Sequence, residues 1–425
     1  MSFMAQQKTL SAKPGVFNYS GLSSVVFKKK LYVFYNNADQ NGGWYNVFER
    51  ETNHWSGPFS FRQGGATFMS LAEYTNPAAV VWRGTIYVFF NGSGYNGTFW
   101  TSSTDGKKWA QVKSMSEAMG TPAENFAKYT SPSLAVFKNA LYIVWNNVSD
   151  NGTLRYTTWS DPSGKIANPM DVTAAGLSIR RQTSVALATF KDKLCLFFNG
   201  SGSNGTWTTT FSGSGWTQVI PVTMPLAGSA LDYTSPAASV SDDGRQLTLL
   251  WNGSANDGLW YTNTMDGTTW TPQMSISQII GGQTVLYKSS PSIASYRGIP
   301  YVLWVSDDAN VWYSQGLTLS LDDGDYNAMI KAILASSDFT VVTADAKVLQ
   351  YLQTQIPSLH AFLQKPADNG WAAFVATFMA SNTALTPPAV IGIFAVATLA
   401  VNAGFDISVD VSEGTFSFRQ PPTSA

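Results

Sequence analysis

The sequence predicts an all-β, six-bladed β-propeller followed by a small, mainly α-helical domain, and three observations carry that expectation. First, an aromatic-Asn pair opening a small polar loop recurs at Tyr35-Asn36, Phe90-Asn91, Trp145-Asn146, Phe198-Asn199 and Trp251-Asn252, with Trp304-Val305 as a decayed sixth copy. Second, the copies stand 53 to 55 residues apart, a period that suits four short strands and their turns rather than a helix pair. Third, the repeats are rich in Val, Thr, Trp and Tyr and punctuated by Gly and Asn, which is strand and turn chemistry.

Each repeat reads the same way. Pro132 to Phe137 is a short apolar strand, Lys138-Asn139-Ala140 a tight turn, and Leu141 to Trp145 a second strand. Other copies turn at Arg83-Gly84-Thr85, Lys191-Asp192-Lys193, Asp242 to Arg245 and Arg297-Gly298, all polar and turn-prone. A third strand follows the Asn loop at Thr98 to Ser102, Thr153 to Trp159, Thr206 to Phe211 and Leu259 to Asn263; a fourth starts near Trp109, Trp216 or Trp270. Four-stranded modules set around a ring protect their sheet edges. The sixth module lacks a fourth strand of its own, so the segment at residues 3 to 11 is expected to supply it. These assignments place the propeller at residues 1–317 and the second domain at 318–425.

Ser103 to Trp109 (STDGKKW) and Thr264 to Trp270 (TMDGTTW) resemble Asp boxes shortened by one residue between Asp and Gly. The repeat layout as a whole is similar to sialidase-like and lectin-type bacterial propellers. That resemblance implies the fold and leaves the function open. Trp100, Trp207, Trp260 and Trp312 are expected in the core or between blades.

Charge is sparse and nearly balanced, with 12% charged residues and net −1 in 425 residues. Nucleic acid and anionic membrane surfaces are therefore poor partners. The lone Cys195 rules out an intramolecular disulfide, and its setting, LCLFF, is that of a small core residue. Two histidines, His54 and His360, fall in different domains, and no phosphate-cradling glycine motif precedes a helix; no metal or cofactor is expected. The opening MSFMAQQKTLSAKPG lacks an apolar signal region, which predicts cytoplasmic synthesis with any release by a non-classical route.

In a four-stranded up-and-down blade, the loop between strands two and three and the lead-in to strand one share an end. That end gathers Tyr74, Tyr129, Tyr233 and Tyr287 from the lead-ins with Asn91, Asn146, Asn199 and Asn252 from the loops. Aromatic rings stack on the C–H faces of sugars and amides satisfy vicinal hydroxyls, so these eight residues are the candidate ligand-binding set. Several weak copies would add avidity. The competing reading makes the same residues turn formers and mortar between blades. At the channel mouth, Asn18, Glu73, Lys128, Arg180, Arg181, Asp232 and Lys288 alternate in sign; Glu73 and Asp232 are the candidate catalytic pair of a glycoside hydrolase. Opposed blades set them too far apart, and the arginine triad and Tyr-Glu pair of sialidases cannot be assembled.

Beyond Leu317, helices are predicted at 325–335, 343–364, 371–380 and 387–402, then a hairpin of 405–411 with 415–418. No ionisable residue occurs between Asp368 and Asp406. Neither apolar run there reaches the roughly 20 residues needed to span a bilayer. Residues 369–405 therefore read as a buried helical hairpin or as a membrane or oligomer contact. The expected function is a non-catalytic, lectin-like protein that binds glycans or glycoconjugates. The alternatives are a toxin-like or scaffold protein acting through its C-terminal domain, and a glycoside hydrolase at the channel mouth. FSFRQ occurs at both 59–63 and 416–420.

Overall fold

The computed structural model describes residues 8–10, 15–17, 19–37, 42–50, 52, 54–66, 70–95, 97–120, 127–147, 153–180, 182–201, 205–222, 233–254, 257–276, 284–316, 318–320, 339–342, 405–410 and 415–419. The chain divides into two compact units: Ala5–Tyr296 with Tyr301–Ser314, and Met1–Met4, Arg297–Pro300 and Gln315–Ala425.

Six four-stranded antiparallel blades form the propeller. A two-residue strand, β1 (Lys8–Thr9), precedes them. Blade 1 is β2 (Ser23–Phe27), β3 (Lys30–Asn36), β4 (Gly43–Glu49) and β5 (His54–Ser60). Blade 2 is β6 (Ala78–Trp82), β7 (Thr85–Asn91), β8 (Thr98–Ser103) and β9 (Lys113–Ser114). Blade 3 is β10 (Ser133–Phe137), β11 (Ala140–Asn146), β12 (Leu154–Trp159) and β13 (Met170–Asp171). Blade 4 is β14 (Ala186–Phe190), β15 (Lys193–Asn199), β16 (Thr206–Phe211) and β17 (Ile220–Pro221). Blade 5 is β18 (Ala237–Val240), β19 (Leu247–Asn252), β20 (Leu259–Thr264) and β21 (Met274–Ser275). Blade 6 takes β22 (Ser292–Tyr296), β23 (Ile299–Val305) and β24 (Val311–Gln315) from the end of the repeat region. Its fourth strand is β1, paired antiparallel with β24 through Lys8 with Tyr313 and Thr9 with Trp312.

The second strand of each blade is its most apolar because blades pack on both of its faces. In TIYVFFN (β7) and KLCLFFN (β15) every residue after the first is buried. Phe34, Phe61, Val88 and Trp109 join blades 1 and 2 in one cluster. Trp82, Trp145 and Trp159 join blades 2 and 3 in another. Phe48, Trp55, Tyr301 and Tyr313 do the same between blades 1 and 6, with ring centroids 5.1 to 6.4 Å apart. Cys195 is buried in the cluster between blades 4 and 5. Small residues of the innermost strands line an axial cavity of about 140 Å³. Blade 1 departs from the others at its rim: β5 runs seven residues where β9, β13, β17 and β21 run two.

A seventh sheet, of order β25-β26-β28-β27, comprises β25 (Thr318–Ser320), β26 (Phe339–Val342), β27 (Asp406–Asp410) and β28 (Thr415–Arg419). β25 pairs parallel with β26, and β27 pairs with β28 as a hairpin. Among the described residues of 318–425 every one except Phe405 is in a strand, and none supports the expectation of a mainly helical second domain. TLS and FTVV are too short for a strand period to stand out in the sequence. The four predicted helices lie outside the described residues, as does the apolar stretch 369–404. Among the described residues no helix is long and apolar enough to cross a membrane.

Candidate functional site

Among the described residues, the lead-ins to the innermost strands of blades 1, 2, 3, 4 and 6 are closed by tight-turn hydrogen bonds. Ser20 N–H donates to the Phe17 carbonyl at 3.1 Å, Thr130 N–H to Ala127 at 3.2 Å and Ser289 N–H to Leu286 at 3.0 Å. Where the chain has Thr, its hydroxyl repeats the bond: Thr75 to Ala72 and Thr130 to Ala127 at 2.7 Å, and Thr183 to Arg180 at 2.8 Å. The third residue of such a turn has positive φ, the place of Gly or Asn. Here it is Tyr19, Tyr74, Tyr129, Gln182, Tyr233 and Lys288, one per blade, with φ between 58° and 65°.

Five of these side chains, Tyr19, Tyr74, Tyr129, Tyr233 and Lys288, meet in one group. Tyr19 and Tyr74 stack at 4.9 Å; Tyr129 meets Tyr74 edge-on at 4.9 Å and Tyr233 at 5.7 Å. The Lys288 ammonium lies 4.1 Å from the centroid of Tyr233 and 5.1 Å from that of Tyr287. Three of the predicted tyrosines thus converge with Tyr19 in one half-buried cluster rather than forming separate sites. Tyr287 sits one residue out of register, because Lys288 holds the position equivalent to the tyrosines; Tyr287 is 49% exposed. Tyr19 and Gln182 were missed because their lead-ins lack the Tyr-Thr-Ser/Asn-Pro pattern.

The predicted asparagines are buried. Asn91, Asn146, Asn199 and Asn252 are each 3% exposed or less. The Asn91 amide donates to the Thr130 carbonyl of the next blade at 2.7 Å while its oxygen accepts from the Thr98 hydroxyl at 3.0 Å. Asn146 donates likewise to Thr183, and Asn252 to Ser289, both at 3.4 Å. Their main-chain carbonyls hold the lead-ins: Ala72, Ala127 and Arg180 donate to Asn91, Asn146 and Asn199 at 2.8 to 2.9 Å. The amides of Asn91, Asn146 and Asn252 are thus committed between blades, and all four expected amides are buried. Of the candidate catalytic pair, Glu73 is exposed beside the axial cluster; Asp232, Asn18 and Arg181 lie outside the described residues.

The opposite end holds a cleft of about 440 Å³ between blade 1 and the 103–107 turn of blade 2. The rim strand β5 makes it: its register with β4 shifts between Tyr45 and Val47, which sets its last residues off the sheet. Phe59, 39% exposed, leans on the Tyr45 ring at 5.4 Å and forms the apolar wall. Lys30 and Glu49 pair across neighbouring strands at the rim. That hydrogen bond from Lys30 holds the Glu49 carboxyl below the usual carboxylate range. Gln63 and Lys107 are exposed on the remaining sides. Buried Tyr32 lies at the base, where desolvation, with smaller contributions from Tyr45, Asp105 and Glu49, pushes its phenol up to about 12.

The 103–107 turn is fixed by its aspartate. Asp105 accepts from the backbone N–H of Lys107 at 2.8 Å and of Lys108 at 2.7 Å, while Gly106 N–H donates to Ser103 Oγ at 2.8 Å. Asp266 builds the same turn in blade 5 with Thr268 and Thr269, both at 2.7 Å. Sequence reasoning missed the cleft, because no repeat pattern marks a site made by the one blade that departs from the repeat.

No protein-family model matches the chain, and no curated protein does. Among solved structures, the fucose-specific lectin of Aleuria aurantia is similar with a TM-score of 0.54 at 14% identity, over 72% of this chain and 94% of that one. A protein of unknown function from Dyadobacter fermentans matches with a TM-score of 0.54 at 12% identity, over 73% and 97%. A Hadza microbial sialidase matches with a TM-score of 0.51 at 13% identity, over 70% and 65%. At these identities the likeness establishes the six-bladed fold.

Proposed function

We propose that this protein is a non-catalytic carbohydrate-binding protein that seats a sugar in the cleft between blades 1 and 2. The carrying observation is the composition of that cleft: an exposed aromatic face, Phe59, opposite a paired cation and carboxylate, Lys30 and Glu49, with the Gln63 amide at the rim. A pyranose presents C–H patches on one face and vicinal hydroxyls at its edge. Phe59 would take the first, while the ion pair donates to one hydroxyl and accepts from its neighbour. The same fold serves as a fucose-specific lectin in the Aleuria aurantia protein, which supports the reading at the level of the scaffold.

Hydrolysis is disfavoured at this cleft. Most glycoside hydrolases use two carboxyl groups flanking the bond, one of them protonated. Glu49 is the one carboxylate among the described lining residues, and Lys30 keeps it ionised. The several equivalent sugar sites expected on the lead-in face give way in this reading to one site where the repeat is broken, since the amides that would have served them are buried.

A glycan array probed with intact protein tests the proposal. Binding that free sugar competes away, and that falls by roughly ten-fold in Phe59→Ala, is the expected result. Retained binding in both Phe59→Ala and Lys30→Gln would move the site elsewhere, and a blank array from folded protein would end the lectin reading.

A further inference from the structure

The axial cluster lies at the other end from the cleft, and its backbone is the unusual part. Tyrosine at positive φ is sterically disfavoured, and such positions persist where the surroundings impose them. Four of the six ring positions nonetheless carry tyrosine. A turn alone would be served better by glycine, so the side chains are the reason for the choice.

The tyrosines meet as a half-buried aromatic group, and a cation already rests against it. Lys288 Nζ is 4.1 Å from the Tyr233 centroid, 5.1 Å from Tyr287 and 5.9 Å from Tyr19. Ring faces are electron-rich and attract cations lying within about 6 Å of the centroid. The lysine ammonium is a poor permanent occupant, being strongly hydrated and carried on a flexible four-carbon stem. A quaternary ammonium sheds water more readily and fits several rings at once, which is how aromatic cages bind such groups.

We propose that the axial tyrosines, with Tyr287, form a binding site for an alkylammonium group, and that Lys288 is its built-in competitor. The ligand displaces the Lys288 ammonium into solvent and takes its place over Tyr233 and Tyr19. No bond is made or broken. Gln182 holds the equivalent backbone position in blade 4 with φ 58°, so the turn is compatible with an uncharged side chain of similar length.

The experiment uses the full chain and Lys288→Gln, each titrated with tetramethylammonium and with choline by calorimetry. The neutral carbon isostere of choline, 3,3-dimethylbutan-1-ol, serves as control. Both proteins should bind both cations saturably, with Lys288→Gln about two- to five-fold tighter because the competitor is gone. The neutral isostere should bind at least about ten-fold more weakly, and adding Tyr233→Leu to Lys288→Gln should weaken choline binding by about five-fold or more. Thermal melts confirm that each variant is folded. Equal binding of isostere and choline would replace the cation site with a merely apolar one. Absence of binding to folded Lys288→Gln, or unchanged affinity on removing Lys288, overturns the proposal.

Discussion

Gly106 shows how closely one residue ties the cleft to its blade. Its φ is +73°, and a Cβ there would stand 2.2 Å from the Tyr32 hydroxyl. Gly84, in the hairpin turn of the same blade, has φ +72° with open space around it. Gly84→Ala should therefore cost only the backbone penalty, about 1–2 kcal/mol. Gly106→Ala adds overpacking and should cost about 2–5 kcal/mol; paired denaturant titrations separate the two, and equal losses would show that Tyr32 yields freely. The turn aspartates set the acid limit. The N–H groups of Lys108 and Lys107 lower the Asp105 carboxyl, and at Asp266 the Thr269 and Thr268 bonds outweigh the opposing effect of desolvation. A carboxyl depressed in the folded state adds stability above its unfolded value of about 3.9, and that stability is lost as pH falls through the folded value. The melting temperature should drop steeply below about pH 4 in the native protein. In the Asp105→Asn, Asp266→Asn double variant it should start lower and fall less; parallel curves would exclude the turns as the source.

The strand is the scale at which the sequence was most legible. Period, turn chemistry and the apolar second strand placed three strands in nearly every blade, because blade-to-blade burial writes a continuous apolar run that local reading detects. The short outer strands were less legible, since a two-residue pairing such as Lys113–Ser114 with β8 leaves almost no pattern. Site residues were harder still. Asn91 has the composition of a ligand-binding amide, and only the Thr130 carbonyl 2.7 Å away shows where the amide is committed. Tyr287 and Lys288 differ from the other lead-ins by a one-residue slip that an aromatic-first alignment absorbs silently. The pentapeptide FSFRQ makes the same point. At 59–63 it leaves β5 and turns after Ser60, putting Phe59 at the cleft; at 416–419 it continues as β28, although its second Phe is fully buried in both copies, as Phe61 and Phe418. Identical local preference gives two outcomes because strand partners decide it.

At the scale of the whole molecule, the propeller is closed by hydrogen bonds that run around the axis as well as by apolar packing. Asn76 N–H donates to Ser131 Oγ at 2.7 Å, Ser131 N–H to Ser184 Oγ at 2.6 Å and Ser235 N–H to Ser290 Oγ at 2.8 Å, while Gly21 N–H donates to the Asn76 side chain. Ser289 Oγ reaches the Ser20 carbonyl at 3.1 Å to join blade 6 to blade 1. Removing residues 1–10 takes away β1 and the buried Leu10, whose N–H donates to Val311. The melting temperature should fall by about 5 °C or more, and a peptide of residues 1–14 added in trans should recover part of the loss; an unchanged melt would show that blade 6 closes without it. The pairing of β1 with β24 also orders events during synthesis. Strand β1 leaves the ribosome ahead of its partner by roughly 300 residues, which at about 5–20 residues per second is about 15–60 s. Throughout that interval its backbone is an open hydrogen-bonding edge, and the β24 of a neighbouring nascent chain offers the same register. Crowded polysomes therefore favour exchange of the strand between copies, and slow, dilute production favours a ring that closes on itself.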